Sequence, residues 1–370
     1  MAEKHTIVVF GGDYSGPEVM AEGLKVLAEV QRQHPEVTLE LKHHLIGGAA
    51  WDAHGVNITD EAISDARSAS AVLLGAVGGP KWAQVPVPVE WGLGDLRKAL
   101  DAFGNLRPVN FAAPSLISRS AFKPAVCAGT DMTIVRELTG GIYFGARQEP
   151  SGGTLAAASD TDAYTHGEIA RVARLAGALA MAHDPPLPVT SLDKANVLAA
   201  CGRLWRRVVT EVMADEFPQV ELRHLLIDSA AMVMACDPTR LNGVVLTSNM
   251  FGDIISDEAS AIPGSIGLLP SASLCAIPDG VDGSSVRGLY EPIHGSAPDI
   301  SGKQIVNPVG MILSVAMMFR WSLNMATVAK AIEDAVRETL DASICTPDVG
   351  GTASTSEVGN AVVTALAKNW

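Results

Sequence analysis

The chain is poor in cysteine, and no two cysteines have the spacing of a metal or redox motif. The five are scattered and odd in number, and none forms a CxxC pair. This excludes a zinc ribbon and argues against a disulfide framework. A reducing compartment fits best, so a cytoplasmic location is expected. The cysteines are Cys127, Cys201, Cys236, Cys275 and Cys345.

Long hydrophobic runs and positive charge are also scarce. No apolar run reaches the roughly 18 residues that a transmembrane helix needs, so no membrane partner is expected. Basic residues number 27 against 41 acidic ones, and the net charge of -14 would repel nucleic acids. A strand pattern begins at Thr6, so no signal or transit peptide is expected.

The common glycine-rich nucleotide-binding motifs are absent from the sequence. The chain has no GxGxxG and no GxxxxGK[ST], which disfavours both a Rossmann dehydrogenase and a P-loop NTPase. Its composition is nevertheless globular, with 48% hydrophobic and 18% charged residues among 370. That length is enough for two domains and a large core.

Short apolar runs alternate with helical patterns, which predicts an α/β architecture. A small antiparallel element is predicted from residues 142–144 and a turn at 151–154. The first domain is predicted to be discontinuous, comprising 1–102 and 263–370, with a second domain at 103–262. Strands are predicted at 6–10, 71–74 and 243–247, and helices at 17–33, 169–181, 311–319 and 328–340.

An aspartate pair lies in residues 249–260, NMFGDIISDEAS. Asp253 and Asp257 are four residues apart, so in a helix both carboxylates project from one face. Like charges at this spacing need a compensating partner, and a divalent cation with oxygen ligands is the usual one. The alternative is a solvated acidic face, which the flanking glycine, isoleucine and methionine residues disfavour.

Three arginines lie beside glycine or turn residues. They are Arg97 in GLGDLRK, Arg107 in NLRP and Arg136 in IVRELTGG. Each of them alone predicts no more than a surface ion pair. If all three converge, their planar forks suit a small di- or tricarboxylic acid.

Two side chains are candidates for proton transfer. Tyr143 stands among glycines in GGIYFG, where core packing is the alternative to a catalytic acid. Lys194 in SLDKANVL has apolar neighbours, a context that suits a general base. A lysine that extends along the surface fits the same pattern equally well.

Residues 288–303, GLYEPIHGSAPDISGK, form a candidate cofactor segment. The small residues Gly295, Ser296 and Ala297 would let a ligand approach backbone N–H groups closely. Asp299 could accept hydrogen bonds from ribose hydroxyls, as acidic residues do in NAD sites. A 2′-phosphate would instead require Arg or Lys at this position.

Together these motifs resemble those of the isocitrate/isopropylmalate dehydrogenase family of β-decarboxylating dehydrogenases. The resemblance runs nearly end to end and includes LLGAVGGPKW and IDSAAM, the latter in a form typical of filamentous fungi. It implies a two-domain, non-Rossmann isopropylmalate-dehydrogenase-like fold. It also implies NAD-dependent oxidative decarboxylation of 3-isopropylmalate to 4-methyl-2-oxopentanoate in leucine biosynthesis.

The resemblance further implies roles for individual residues. Tyr143 and Lys194 of the partner subunit would be the acid/base pair, so the family's homodimer with shared active sites is expected. The substrate carboxylates would be held by Arg97, Arg107 and Arg136. Mg²⁺ or Mn²⁺ would be bound by Asp253, Asp257 and Asp228 of the partner subunit. NAD would be bound by Glu291, His294, Gly295, Ser296, Ala297, Asp299 and Asn307.

The chain departs from the family pattern where the substrate's side group would bind. The family reads ExGLLxLRK, whereas this chain has EWGLGDLRK from residue 90. Glu90, Leu93 and the partner subunit's Val197 would contact the isopropyl group, but Gly94 replaces the second leucine and Trp91 is unusual. Even one methylene in an apolar pocket is worth about 1–3 kcal/mol, so this change could alter substrate preference strongly.

Gly94 has two functional interpretations, and a third is that the change is neutral drift. In the first, the space is refilled by Trp91 or a neighbour, and the chain serves leucine synthesis. In the second, the chain is a specialised paralogue that acts on a malate with a larger 3-substituent, such as 3-benzylmalate. The retained Glu90 and Leu93 favour an apolar substituent over the polar ones of the tartrate-type and homoisocitrate enzymes. A non-catalytic regulatory subunit is disfavoured because the catalytic side chains are all retained.

Overall fold

A wide mixed β-sheet runs through the molecule. The computed structural model describes residues 3–150, 157–280 and 285–370. The strands in these ranges are β1 (Glu3–Gly12), β2 (Val37–His44), β3 (Ala71–Ala76), β4 (Gly104–Asn110), β5 (Asp131–Glu137), β6 (Arg147–Gln148), β7 (Ser159–Asp160), β8 (Val189–Asp193), β9 (Leu222–Leu226), β10 (Gly243–Thr247), β11 (Pro270–Leu274) and β12 (Gly288–Pro292).

Within the described ranges, ten strands form this sheet in the order β2-β1-β3-β12-β11-β4-β5-β10-β8-β9. The four strands at each end of this order pair in parallel with one another. In the centre, β11 runs antiparallel to both of its neighbours and β4 pairs antiparallel with β5. The helices are α1 (Gly16–Gln33), α2 (Gly48–His54), α3 (Asp60–Ser68), α4 (Trp91–Leu100), α5 (Pro124–Cys127), α6 (His166–Met181), α7 (Cys201–Glu216), α8 (Ile227–Cys236), α9 (Asn249–Ala259), α10 (Val309–Trp321), α11 (Ala326–Asp341) and α12 (Thr355–Lys368).

Side-chain alternation along the strands gives the sheet two different faces. In β1, Ile7 and Val9 enter one large core, while Val8 and Phe10 enter a smaller core on the opposite face. The large core is continuous and includes side chains of α1, α6, α7, α10, α11 and α12. On the opposite face, one small core lies against β1 and β3, and another lies against β5, β8 and β10.

Between these two small cores, the centre of the sheet is polar. Buried polar side chains of β4, β11 and β12 alternate there with apolar residues that face the large core. A sheet face lined this way can recognise an anionic ligand, because its polar groups are held on rigid strands. The polar residues are Asn105, Arg107, Ser271, Ser273 and Glu291.

The predicted α/β class is confirmed, and each predicted strand and helix lies within or nearly coincides with an observed one. The small antiparallel element differs in detail, because it is formed by β6 and β7. Residues 142–144 do not form a strand. Gly141 has a φ of 72° and opens the 3₁₀ helix Gly141–Tyr143. The predicted turn at 151–154 lies outside the described residues. No described helix is long and apolar enough to cross a membrane.

Candidate active site

Helix α9 carries the aspartate pair to the polar centre of the sheet. The Oδ1 atom of Asp253 accepts a 2.5 Å hydrogen bond from Nη1 of Arg136, and its Oδ2 atom accepts a 2.9 Å bond from the Tyr143 hydroxyl. Nη1 of Arg107 lies 3.5 Å from Asp253 and 3.7 Å from Asp257. The pair is therefore compensated by guanidinium groups and does not form a fully solvated acidic face.

The two aspartates have opposite pKa shifts. Burial alone would raise the pKa of Asp253, but Arg136 and Arg107 outweigh it and hold this pKa below its usual value. At Asp257, burial and the charge of Asp253 outweigh the attraction of Arg107, so the pKa is raised. Burial, followed by the charge of Asp253, also raises the pKa of Tyr143. The Tyr143 phenol therefore keeps its proton near neutral pH, as a general acid must.

The two most buried arginines are oriented by neutral side chains. Arg107 donates from Nε to Asn105 Oδ1 over 2.7 Å and from Nη1 to Ser256 Oγ over 2.6 Å. Arg136 donates from Nε and Nη2 to Asn249 Oδ1 over 3.0 and 2.8 Å. These neutral acceptors hold the guanidinium groups in place without adding further negative charge.

Arg97 completes a patch of three arginines. Its Nη2 atom donates a 2.5 Å hydrogen bond to Glu291, and its Nε atom is buried without a partner among the described residues. Burial, followed by the charge of Arg107, lowers the pKa of Arg136 to about 10, and Arg97 contributes to that shift. The structure therefore brings the three predicted arginines together, in an arrangement suited to a dianionic ligand.

A cleft of about 540 Å³ adjoins this patch. A Cβ atom added at Gly94 would meet no other atom within 4 Å. Trp91 does not fill this space, since it is half exposed and stacks with Arg147 at 5.5 Å from the ring centroid. The cleft is lined by Glu90, Trp91, Leu93, Gly94, Asp95, Arg97, Lys98, Leu138, Tyr143, Phe144, Gly145, Arg147 and Asn249.

Lys194 and Asp228 form a second, separate cluster. Nζ of Lys194 lies 2.6 Å from Asp228 Oδ1, which lowers the pKa of that carboxyl group through their hydrogen bond. Within the described ranges, no three His, Cys, Asp or Glu side chains come together as a metal site. One chain therefore does not bring Asp228 to Asp253 and Asp257. Val197, three residues beyond Lys194, is 66% exposed.

The predicted cofactor segment begins with β12 and continues beyond it. His294 is buried, which lowers its pKa, and its Nε2 atom has no partner among the described residues. Ala297 has a φ of 42°, and space is open around Gly295. Asn307 is buried and donates from Nδ2 to Asp348 over 3.0 Å. Asp299 is exposed. The unpartnered His294 nitrogen and the room at Gly295 fit a polar ligand laid along this segment.

Three polar residues at the site have no role in the sequence-based prediction. Asn105, Asn249 and Ser256 contact the predicted arginines directly. Asn105 and Asn249 stand in the motifs NLRP and NMFGD, close to predicted site residues, but their sequence positions do not reveal what they contact. Asn105 lies only two residues before Arg107, but the contacts of Asn249 and Ser256 join residues 113 and 149 positions apart in the chain.

The fold and its similarity to solved structures define a β-decarboxylating dehydrogenase, an α/β enzyme. A family model described as isocitrate/isopropylmalate dehydrogenase matches residues 6–362. The chain belongs to the isocitrate/isopropylmalate dehydrogenase family. The predictions of family, fold class and enzyme type are thereby confirmed.

Named relatives resemble the chain over its whole length. A 3-isopropylmalate dehydrogenase of Alternaria alternata is 76% identical over 369 residues, which is 100% of this chain and 99% of the relative. One of Glarea lozoyensis is 66% identical over 99% of this chain and 98% of the relative. The crystal structure of isocitrate dehydrogenase from Methylococcus capsulatus superposes with a TM-score of 0.84 at 28% identity, covering 98% and 99% of the two chains.

Proposed function

We propose that the chain catalyses the NAD-dependent oxidative decarboxylation of 3-isopropylmalate to 4-methyl-2-oxopentanoate, a step of leucine biosynthesis. The observation that supports this proposal most strongly is that Arg136 and Tyr143 both bond to the Asp253 carboxylate, which also lies near Arg107. This arrangement combines anion binding, a proton donor and a potential metal ligand. The test is NADH production by the purified chain supplied with 3-isopropylmalate, NAD⁺ and Mg²⁺; absence of NADH would contradict the proposal.

The chain's own residues divide the chemistry between them. Arg97, Arg107 and Arg136 orient the carboxylates, each charged hydrogen bond contributing roughly 1.5–3 kcal/mol. The partner subunit's Lys194 takes the proton of the C2 hydroxyl, directly or through water, and Tyr143 delivers a proton to C3 after decarboxylation. When bound, NAD⁺ would supply the acceptor for the hydride at C2, and the divalent cation would supply a Lewis acid for the substrate oxygen.

Asp253 and Asp257 provide oxygen ligands of the kind that Mg²⁺ and Mn²⁺ prefer, so the donor set fits such an ion. The third ligand in this proposal is Asp228 of the partner subunit, which agrees with the separation of Asp228 from the pair within one chain. NAD would be held by Glu291 and by residues between His294 and Asn307. The unpartnered His294 nitrogen supports that placement.

A homodimer with two shared active sites follows from this division. Large apolar side chains are exposed close in sequence to Lys194, Asp228 and the aspartate pair, which supports the dimer. Val197 is 66% exposed, Met232 on α8 is 63% exposed, and Ile254 on α9 is 59% exposed. Their burial against a second copy would remove apolar surface from water.

The proposed domain division places 1–102 and 263–370 in one domain and 103–262 in the other. The two small cores support it, because one consists mainly of residues before 103 and the other mainly of residues between 109 and 262. We also propose a cytoplasmic location, in agreement with the five free cysteines.

Removal of divalent metal is expected to abolish NADH production, and Mg²⁺ or Mn²⁺ should restore it. Loss of an outer-shell partner typically lowers metal affinity or activity roughly 10–100-fold. Asp257→Asn alters a direct ligand, so the metal concentration for half-maximal activity should rise by at least that factor. The measurement is activity against metal concentration after dialysis with a chelator. Asp95→Asn, which removes an exposed carboxylate of the same cleft, is the matched control and should leave this concentration unchanged.

The open space at Gly94 favours a second candidate substrate, a malate with a larger 3-substituent such as 3-benzylmalate. Trp91 does not refill this space. The discriminating measurement is kcat/KM for 3-isopropylmalate and for 3-benzylmalate. A strong preference for the benzyl compound would overturn the assignment to leucine synthesis and leave the reaction type intact.

Gly94→Leu is expected to narrow the cleft. Because apolar pockets discriminate by about 10–200-fold per methylene, the kcat/KM ratio of benzyl to isopropyl substrate should fall by at least about tenfold. Gly167→Leu is the matched control, since Gly167 also has open space around it but lies outside the cleft on α6. An unchanged ratio in Gly94→Leu would show that the side group does not bind beside Gly94.

A further inference from the structure

Asn249, the first residue of α9, is a saturated hydrogen-bonding centre beneath the active site. Its side chain is buried, with a residue exposure of 1%. Its Oδ1 atom accepts both hydrogen bonds from Arg136, and its Nδ2 atom donates to the carbonyl oxygens of Leu138 and Gly140 over 3.2 and 2.9 Å. Both lone pairs and both N–H groups of the amide are thus used.

The orientation of this amide is determined by its partners. A guanidinium can only donate hydrogen bonds and a backbone carbonyl can only accept them, so the oxygen must face Arg136 and the nitrogen must face residues 138–140. Asn249 therefore joins a substrate-binding arginine to the loop that leads into the 3₁₀ helix Gly141–Tyr143. The backbone N–H of Asn249 also donates to the Tyr164 hydroxyl over 2.9 Å.

The loop is held from its other side as well. Glu137 accepts hydrogen bonds from the backbone N–H groups of Thr139 and Gly140 over 3.0 and 2.8 Å. Glu137 and Asn249 thus fix residues 138–140 between a carboxylate and an amide, and Tyr143 follows three residues later. Without the Nδ2 bonds, two carbonyl groups lose their partners and the loop can move.

We propose that Asn249 is a positioning residue that sets the Tyr143 hydroxyl and the Arg136 guanidinium in one geometry around Asp253. This inference rests on the proposed function for the roles of Tyr143 and Arg136. Asn249 acts through both residues and performs no proton transfer itself. Because a displacement of about 1 Å can lower a rate about 100-fold, the amide influences catalysis without entering the reaction.

Two variants separate the two halves of the amide. Asn249→Asp keeps an acceptor that holds Arg136 in place, but it places a carboxylate oxygen against the Leu138 and Gly140 carbonyls and adds a negative charge beside the guanidinium. We expect kcat to fall about 100-fold and the solvent deuterium isotope effect on kcat to rise as proton delivery by Tyr143 becomes limiting. KM should rise too, because the added charge weakens the attraction of Arg136 for the substrate carboxylate. Asn249→Ala removes the hydrogen bonds to the loop and those from Arg136, without adding a charge, so Arg136 should move as well.

Asn242→Ala is the matched control. Asn242 also bridges backbone groups, since it accepts from Asp131 N–H and donates to the Gly129 carbonyl, but it lies at the opposite end of β10. This variant should keep the wild-type isotope effect. Equal losses of kcat in Asn242→Ala and Asn249→Asp would overturn the proposal, as would a kcat near wild type in Asn249→Asp. If Asn249→Ala does not fold, Asn249→Asp remains the deciding variant.

Crystal structures of the variants test the proposal apart from any activity. In Asn249→Asp, the Tyr143 hydroxyl should lie beyond hydrogen-bond distance of Asp253, whereas in Asn242→Ala it should remain bonded. An unmoved Tyr143 in Asn249→Asp would overturn the positioning role. Failure of the wild-type enzyme to oxidise any 3-substituted malate would instead overturn the proposed function, so the two failures are distinguishable.

Discussion

Replacing Tyr143 by phenylalanine is expected to lower kcat by about 10²–10⁴, the usual range for loss of a general acid. The physical reason is that the variant loses the proton donor to C3 while it keeps the ring. The ring packs beside Arg136, whose guanidinium lies 5.7 Å from its centroid, so carboxylate binding should persist. Steady-state kinetics with 3-isopropylmalate, NAD⁺ and Mg²⁺ measure the effect, and KM should change much less than kcat.

Tyr290→Phe is the matched control for this prediction. It also removes one phenol oxygen, but Tyr290 is buried in the large core, where its hydroxyl is 2.6 Å from Ser322 Oγ. It should change stability with little effect on kcat. If Tyr143→Phe retains wild-type kcat, another group supplies the proton and the assignment of Tyr143 is wrong.

Two inactive variants of this chain are expected to restore activity when they assemble together. Lys194→Met and Tyr143→Phe each inactivate both sites of a homodimer. In a heterodimer, one site takes Tyr143 from the Lys194→Met chain and Lys194 from the Tyr143→Phe chain, and that site is intact. Random assembly makes half of the dimers heterodimers, so about one quarter of wild-type activity should return. The measurement is NADH production after co-refolding or co-expression.

A second pair of variants provides the control. Tyr143→Phe and Asp253→Asn affect residues of the same chain, since Tyr143 bonds directly to Asp253. Every site in their heterodimer carries one defect, and no recovery is expected. Failure of the first pair to recover despite confirmed heterodimers would show that each active site is built from a single chain.

Much of the fold could be predicted from the sequence because its signals are local. The run at residues 243–247 predicts the bounds of β10, and the spacing of Asp253 and Asp257 places them on one face of α9. The chemistry of the site could also be predicted, since arginine forks and paired carboxylates have few uses together. The family resemblance added the particular reaction.

Other features could not be predicted because they depend on contacts between distant residues. Arg107 and Arg136 meet Asp253 because β4 pairs antiparallel with β5 and β10 delivers α9 beside them. The position of Asn249 in the sequence does not show that its amide holds both Arg136 and the loop before Tyr143. The open space at Gly94 depends on where Trp91 and Arg147 lie.

The sequence by itself determined which reactive groups this protein has and the local elements that carry them, because side-chain chemistry and periodicity are properties of neighbouring residues. Only the tertiary structure decided which of those groups meet. On the sheet face opposite the large core, it formed two small cores with a polar centre between them. It also placed Lys194 and Asp228 apart from Asp253 and Asp257. The reason is that sheet order and helix packing join segments far apart in the chain, and no short sequence pattern encodes such contacts.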